Sequence, residues 1–172
     1  MKFKVRAASQ FLDNVRRDLT RPHAFAFERV GFVYAREAVV DGGPSLLLPF
    51  AYAPVADAHY MPKEGVGACI SGDAIREAMA FILREDACVL HTHMHENVGM
   101  PKFSRVDVRN YPGVVRAFQN TRPDRPHGAL LLSRDAAVAR VWPVGAAEPV
   151  MDSLVISVGR PMGIFSEGAI YG

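Results

Sequence analysis

The stretch ACVLHTHMHENVGMPKFSRVD, residues 87–107, governs how the rest of the chain is read. Ala87-Cys88-Val89-Leu90 is a continuous apolar run, the pattern of a central strand covered on both faces. It leads straight into His91-Thr92-His93. Side chains two apart on a strand share a face. At about 3.3 Å of rise per residue the two Cβ atoms lie roughly 7 Å apart, and both rings can converge on one ion. After a loop containing Gly99 and Pro101, Ser104-Arg105-Val106-Asp107 has the spacing of a helix start, with Ser104 as N-cap and Asp107 in the first turn. Two imidazoles and a carboxylate suit zinc, and three protein ligands leave a fourth position for water, as in catalytic sites. His91, His93 and Asp107 are therefore the candidate metal ligands. If the strand ran on, His95 would join the same face as a third imidazole; Asn97 and Gly99 point instead to the strand having ended. The plain alternatives are a structural histidine pair, a Ser104 that only caps, and an Asp107 that only faces the helix dipole.

The flanking sequence reads as alternating strands and helices. KFKVR (2–6) alternates like a strand, and Phe11 to Leu19 has the spacing of a short amphipathic helix that stops before Pro22. Residues 25–52 read as a hairpin turning at Asp41-Gly42-Gly43-Pro44. Gly65 to Ile70 reads as a short strand. Ser71 would then N-cap a helix whose apolar side holds Ile75, Met79, Phe81 and Ile82 and which ends near Arg84. Pro112 should end or kink the helix begun at Ser104, with Gly113 to Gln119 resuming it. Ala129–Leu132 and Val138–Trp142 suggest a second hairpin, and Leu154 to Val158 a last strand. The segment from Gly159 onward, with Ala169-Ile170-Tyr171-Gly172 at its end, reads as irregular. The expected fold class is α/β: one mixed, curved β-sheet flanked by helices, in a single domain spanning 1–172.

Composition narrows the function classes. The chain has 172 residues, 49% hydrophobic and 22% charged, enough to close a core. Twenty basic against 18 acidic residues give +2, too little for a nucleic-acid footprint. The two cysteines, Cys69 and Cys88, exclude a disulfide scaffold and a CxxC zinc site. They read as free thiols in a reducing compartment. The N-terminus has no apolar core of the signal-peptide kind, and the longest apolar-rich run, 46–56, is too short to span a bilayer. A soluble, cytoplasmic protein with no membrane or nucleic-acid partner is expected.

Glu28-Arg29-Val30-Gly31, then His91-Thr92-His93, then Ser104-Arg105-Val106-Asp107, in this order, resembles the JAMM signature of the JAB/MPN zinc metalloproteases. That signature is a Glu on an early strand, H-[S/T]-H, and S-x-x-D. The resemblance covers most of the chain and implies a cytidine-deaminase-like JAB/MPN domain. It implies that His91, His93 and Asp107 bind Zn²⁺, that Glu28 is the general base, and that Ser104 donates a hydrogen bond to the oxyanion. It further implies peptide or isopeptide hydrolysis, commonly at the C-terminal glycines of a ubiquitin-like protein, beside E1/E2-like conjugation proteins. Two features depart from the family. Met94 stands where Pro usually follows the second His, and the interval from first His to Asp is 107 − 91 = 16 where thirteen is usual. The extra residues fall in the loop 95–103, which contains His95 and Glu96. Glu37 rivals Glu28 as the base, but lacks the E-x-x-G context. Other classes compatible with the sequence are a zinc amidohydrolase acting on a small molecule or sulfur-carrier adduct, an inactive MPN assembly module, and a binding domain with structural histidines.

Overall fold

The computed structural model describes residues 3–23, 26–39, 41–150, 153–159 and 162–166. Eight strands among them form one mixed sheet. In chain order they are β1 (Phe3–Ala8), β2 (Val30–Ala38), β3 (Ser45–Pro54), β4 (Cys88–Met94), β5 (His127–Leu132), β6 (Ala137–Trp142), β7 (Leu154–Val158) and β8 (Gly163–Ser166). Their order across the sheet is β6-β5-β4-β2-β3-β1-β7-β8. The sheet curls until β6 approaches β7 and β8, so it is nearly closed. Three helices accompany it: α1 (Ser9–Leu19), α2 (Gly72–Glu85) and α3 (Arg105–Thr121).

Strand alternation sorts the core into two sides. Leu12, Val15 and Leu19 of α1 pack with Leu47, Leu90, Met94 and Leu132 on one face. Phe32, Tyr34 and Val89 pack with Ala74, Ala78 and Ile82 of α2 and Phe118 of α3 on the other. Burial of each large side chain contributes about 1.5–3 kcal/mol, so β4, clad on both sides, is anchored more firmly than any edge strand. It lies antiparallel to β2, with His93 opposite Val30 and His91 opposite Phe32. On its other side it lies parallel to β5, with His93 opposite Leu131.

Several sequence expectations are met, and four are corrected. The segment 65–70 is not a regular strand: only an isolated bridge links Tyr60 and Ile70. Gly65 takes φ 74°, and the Gly67 carbonyl is spent on the amides of Phe27 and Glu28. Ser71 has N-cap backbone geometry but makes no side-chain cap; its hydroxyl pairs with His59 Nδ1 at 3.2 Å. Helix α3 runs unbroken through Pro112. Pro112 and Val108 are both exposed, so water can take the carbonyl that the missing N–H leaves free. Buried Tyr111, Val115 and Phe118 hold the helix through this point. Finally, the region after Gly159 is partly ordered as β8, paired with β7; Ala169 to Gly172 lie outside the described residues. No helix among the described residues is long and apolar enough to cross a membrane.

His127 ties β5 to its neighbours. Its Nδ1 accepts from the Val89 amide at 3.2 Å, and its Nε2–H donates to the Arg122 carbonyl at 3.0 Å. Burial brings its pKa down to about 4 from 6.5. The unfolded chain therefore binds a proton that the folded chain refuses. Stability from this group is complete above pH 6.5 and is lost as pH falls toward 4, by about 3 kcal/mol at most. Thermal denaturation of metal-free protein should show the melting temperature falling over this window. The fall should be shallower in His127→Gln, which should also be less stable at pH 7; parallel curves would contradict the assignment.

Candidate metal centre

The alternating face of β4 carries His91 and His93 toward α3. Beyond Met94 the chain stays extended for one more residue: the His95 amide donates to the Leu132 carbonyl at 3.0 Å. That bond prolongs the ladder with β5 and turns His95 to the same face. His93 Nε2 and His95 Nε2 lie 3.3 Å apart. Asp107 brackets them from α3, with Oδ1 3.5 Å from His93 Nε2 and Oδ2 4.0 Å from His95 Nε2. Glu28 approaches from the other side, its Oε1 3.7 Å from His95 Nε2. Donor atoms of Glu28, His93 and His95 all lie within 4.8 Å of one another and can hold a metal ion.

The shortest of these side-chain distances is that of two ligands on one ion. Two ligands about 2.05 Å from a tetrahedral ion are separated by about 3.3 Å, which is the spacing of the two imidazole nitrogens. Asp107 lies within 4.0 Å of both rings, and Glu28 lies within 3.7 Å of His95 and within 4.8 Å of His93. Glu28 completes the group of donors within mutual reach, and Asp107 stands beside that group on the α3 side.

The start of α3 orients Asp107. Ser104 Oγ accepts from the Asp107 amide at 3.1 Å, and Asp107 Oδ2 accepts from the Ser104 amide at 2.7 Å. This reciprocal capping box satisfies two helix-end donors and leaves Oδ1 turned to His93. Burial alone would raise the Asp107 carboxyl. Hydrogen bonds from His93 and from Ser104 outweigh it and hold the group at about 2.

Glu28 sits in the segment just before β2, not within the strand. Its amide and that of Phe27 donate to the Gly67 carbonyl at 3.1 and 2.9 Å. A Cβ at Gly67 would overlap the Glu28 carboxylate, so only glycine admits this approach. The next residue, Arg29, is buried, and each of its guanidinium nitrogens donates a hydrogen bond, to the carbonyls of Arg21 and Pro22 and to Asp57. That three-way clamp fixes the backbone from which Glu28 projects. Gly31 has a packing role: the Tyr52 ring fills the space a Cβ would need.

His91 stands one pleat behind the cluster and is not among the group of donors within 4.8 Å. The imidazoles brought together with a carboxylate are thus His93 and His95, where the sequence pattern paired His91 with His93. The reason is the extra ladder bond of His95. His91 instead serves a layer that the sequence reading missed. Tyr111, buried in α3, places its hydroxyl 2.7 Å from His93 Nδ1 and 3.3 Å from His91 Nδ1. For the Nε2 lone pair of His93 to face an ion, its proton must sit on Nδ1. His93 then donates to the Tyr111 oxygen, and Tyr111 donates to His91. Burial, reinforced by His93, brings the pKa of His91 down to about 3, so the ring is neutral and free to accept. Burial first, then the charges of Asp107 and Glu28, push Tyr111 well above its ordinary value and keep its proton in place. The signal for Tyr111 was present in the sequence as the position four after Asp107, on the same helix face.

The rival bases lie elsewhere. Glu37 is 37 − 30 = 7 residues along β2 from the end that pairs with His93, roughly 23 Å at strand rise. Glu96 is exposed and reaches Arg134. The cluster forms one wall of a cavity of about 590 Å³ whose remaining lining is largely apolar. No protein-family model matches the chain, and neither does any curated protein.

Tyr111→Phe keeps the ring packing and removes only the hydroxyl. Zinc affinity, measured by competition with a chelator, should fall about 10- to 100-fold, as is usual when a ligand loses its orienting partner. Unchanged affinity would show that Tyr111 does not position His93.

Proposed function

We propose that this protein is a zinc-dependent hydrolase of amide bonds, a metallopeptidase or isopeptidase of the JAB/MPN (JAMM) kind. The observation that carries the reading is the pair of imidazole nitrogens 3.3 Å apart, bracketed by Asp107 and Glu28 at the wall of a cavity. His93, His95 and Asp107 would hold the ion. When bound, zinc supplies a Lewis acid that lowers the pKa of water and polarises a carbonyl.

The remaining chemistry belongs to the chain's own groups. Glu28 takes the proton of the attacking water and returns it to the departing nitrogen. Ser104, its lone pair engaged by the Asp107 amide, directs its hydroxyl proton at the carbonyl oxygen as charge develops there. Tyr111 holds His93 in the required tautomer.

The order of parts supports the family reading. Glu28 precedes β2; β3, α2, the histidine-bearing β4 and the capping box of α3 follow. This arrangement accords with a cytidine-deaminase-like JAB/MPN domain. Counted from His93, the interval to Asp107 is 107 − 93 = 14, one from the family's usual thirteen. The complete donor set argues against an inactive MPN module. The resemblance supplies a ubiquitin-like tail as substrate, with E1/E2-like conjugation proteins as its context. The second reading is a zinc amidohydrolase of smaller substrates. It is favoured by the cavity, whose volume of about 590 Å³ is that of a small-molecule pocket.

Glu28→Gln should retain one equivalent of zinc and lose hydrolysis by at least about 100-fold, the usual worth of a general base. Assays against a ubiquitin-like fusion and against short peptide amides, with metal content measured in parallel, check this. Full turnover in the variant would remove Glu28 from the reaction.

A further inference from the structure

We propose that the cavity beside the metal cluster is a side-chain subsite, and that the bond cleaved is flanked by a residue with a bulky apolar side chain. The inference rests on the hydrolytic reading only for the word "cleaved"; the subsite itself follows from shape and chemistry.

The polar part of the cavity wall holds Glu28, His93, His95 and Asp107, together with Lys63 and Asn110. Val30, Val66, Ala68, Ile70 and Val114 line the same cavity. Val30 belongs to the core beneath, and Ala68, Ile70 and Val114 pack against that core. The apolar wall is thus continuous with the packed interior and backed by it. Its volume of about 590 Å³ lies within the range of pockets that enclose whole small ligands. An extended glycine tail has no side chain to fill such a space, and apolar walls left wet gain nothing from binding it. An aromatic or large aliphatic side chain exchanges that water for apolar contact while its backbone amide stays level with the cluster.

Helix α3 provides an independent sign. Gly113 lies in the helix interior, where glycine is a poor choice, and a Cβ there would meet nothing within 4 Å. No close packing in the protein therefore demands the missing side chain. Gly113 also lines the cavity, on the helix face that carries Val106, Asn110 and Val114. What its absence provides is an open mouth. The same residue type at Gly67 answers to a close approach by Glu28; at Gly113 it answers to empty space.

The test uses the full chain, metal-stripped and zinc-loaded, with two neutral probes, N-acetyl-phenylalaninamide and N-acetylglycinamide, titrated by calorimetry and NMR. The phenylalanine probe should bind at least tenfold more tightly, with or without zinc. Gly113→Leu and Val106→Trp, both at exposed positions, should each reduce that preference at least fivefold. Equal binding of the two probes, or a preference unmoved by both variants, overturns the subsite. A parallel assay separates this inference from the hydrolytic reading. Peptide amides differing only in Gly or Phe beside the scissile bond should be cleaved with at least tenfold different kcat/KM. Hydrolysis without that difference overturns the subsite and leaves the enzyme. Selective probe binding by a chain that neither holds zinc nor hydrolyses any amide upholds the subsite and overturns the enzyme.

Discussion

The amide of His95 donates to the carbonyl of Leu132 one residue past the end of β4, and the site is built on that bond. Without it the chain would be free to turn at Met94, and strand alternation would deliver only His91 and His93 to the α3 face. With it, three imidazoles stand in a row. The front pair converges and the rear one, His91, faces Tyr111. The bond is secure because β4 is pinned on both edges, antiparallel to β2 and parallel to β5, and clad on both faces. A small local hydrogen bond thus draws its reliability from the largest apolar contacts in the molecule.

The second constraint is the capping box of α3. Ser104 and Asp107 satisfy each other's amides, and the same two bonds decide which carboxylate oxygen turns to His93. Structure formation and site formation coincide here: the carboxylate that starts the helix is the one that reaches the imidazoles. Glu28 is held differently, by a backbone pinned through Gly67 and through the buried Arg29 clamp. Two carboxylates with separate supports can take separate roles, one bound tightly and screened by hydrogen bonds, the other projecting from a clamped backbone.

Much of this was legible in residues 87–107. The apolar run marked β4, its alternation marked the face that carries the histidines, and S-x-x-D marked both the start of α3 and the carboxylate. What escaped was non-local. Asn97 and Gly99 are true loop signals and the strand does end before them; only pairing with β5, later in the chain, carries the ladder on to the His95 amide. Pro112 is likewise a real helix breaker, overridden by the burial of Tyr111, Val115 and Phe118 on the opposite side. Tyr111 was within reach of helical spacing from Asp107, but its partner atoms depend on how α3 crosses β4. The segment 65–70 read as a strand by its apolar residues, yet Gly67 gives its carbonyl to the chain around Glu28, which is tertiary information.

The central claim is that the ion is held by the front pair of imidazoles. Zinc titration of the purified chain with alanine at 95, and separately at 91, tests it most directly. The account predicts that the wild type binds one equivalent, that His95→Ala loses tight binding, and that His91→Ala still binds one equivalent with at most about a tenfold loss, as for an orienting partner. Full zinc binding by His95→Ala together with its loss in His91→Ala would contradict the account and move the centre one pleat back along β4.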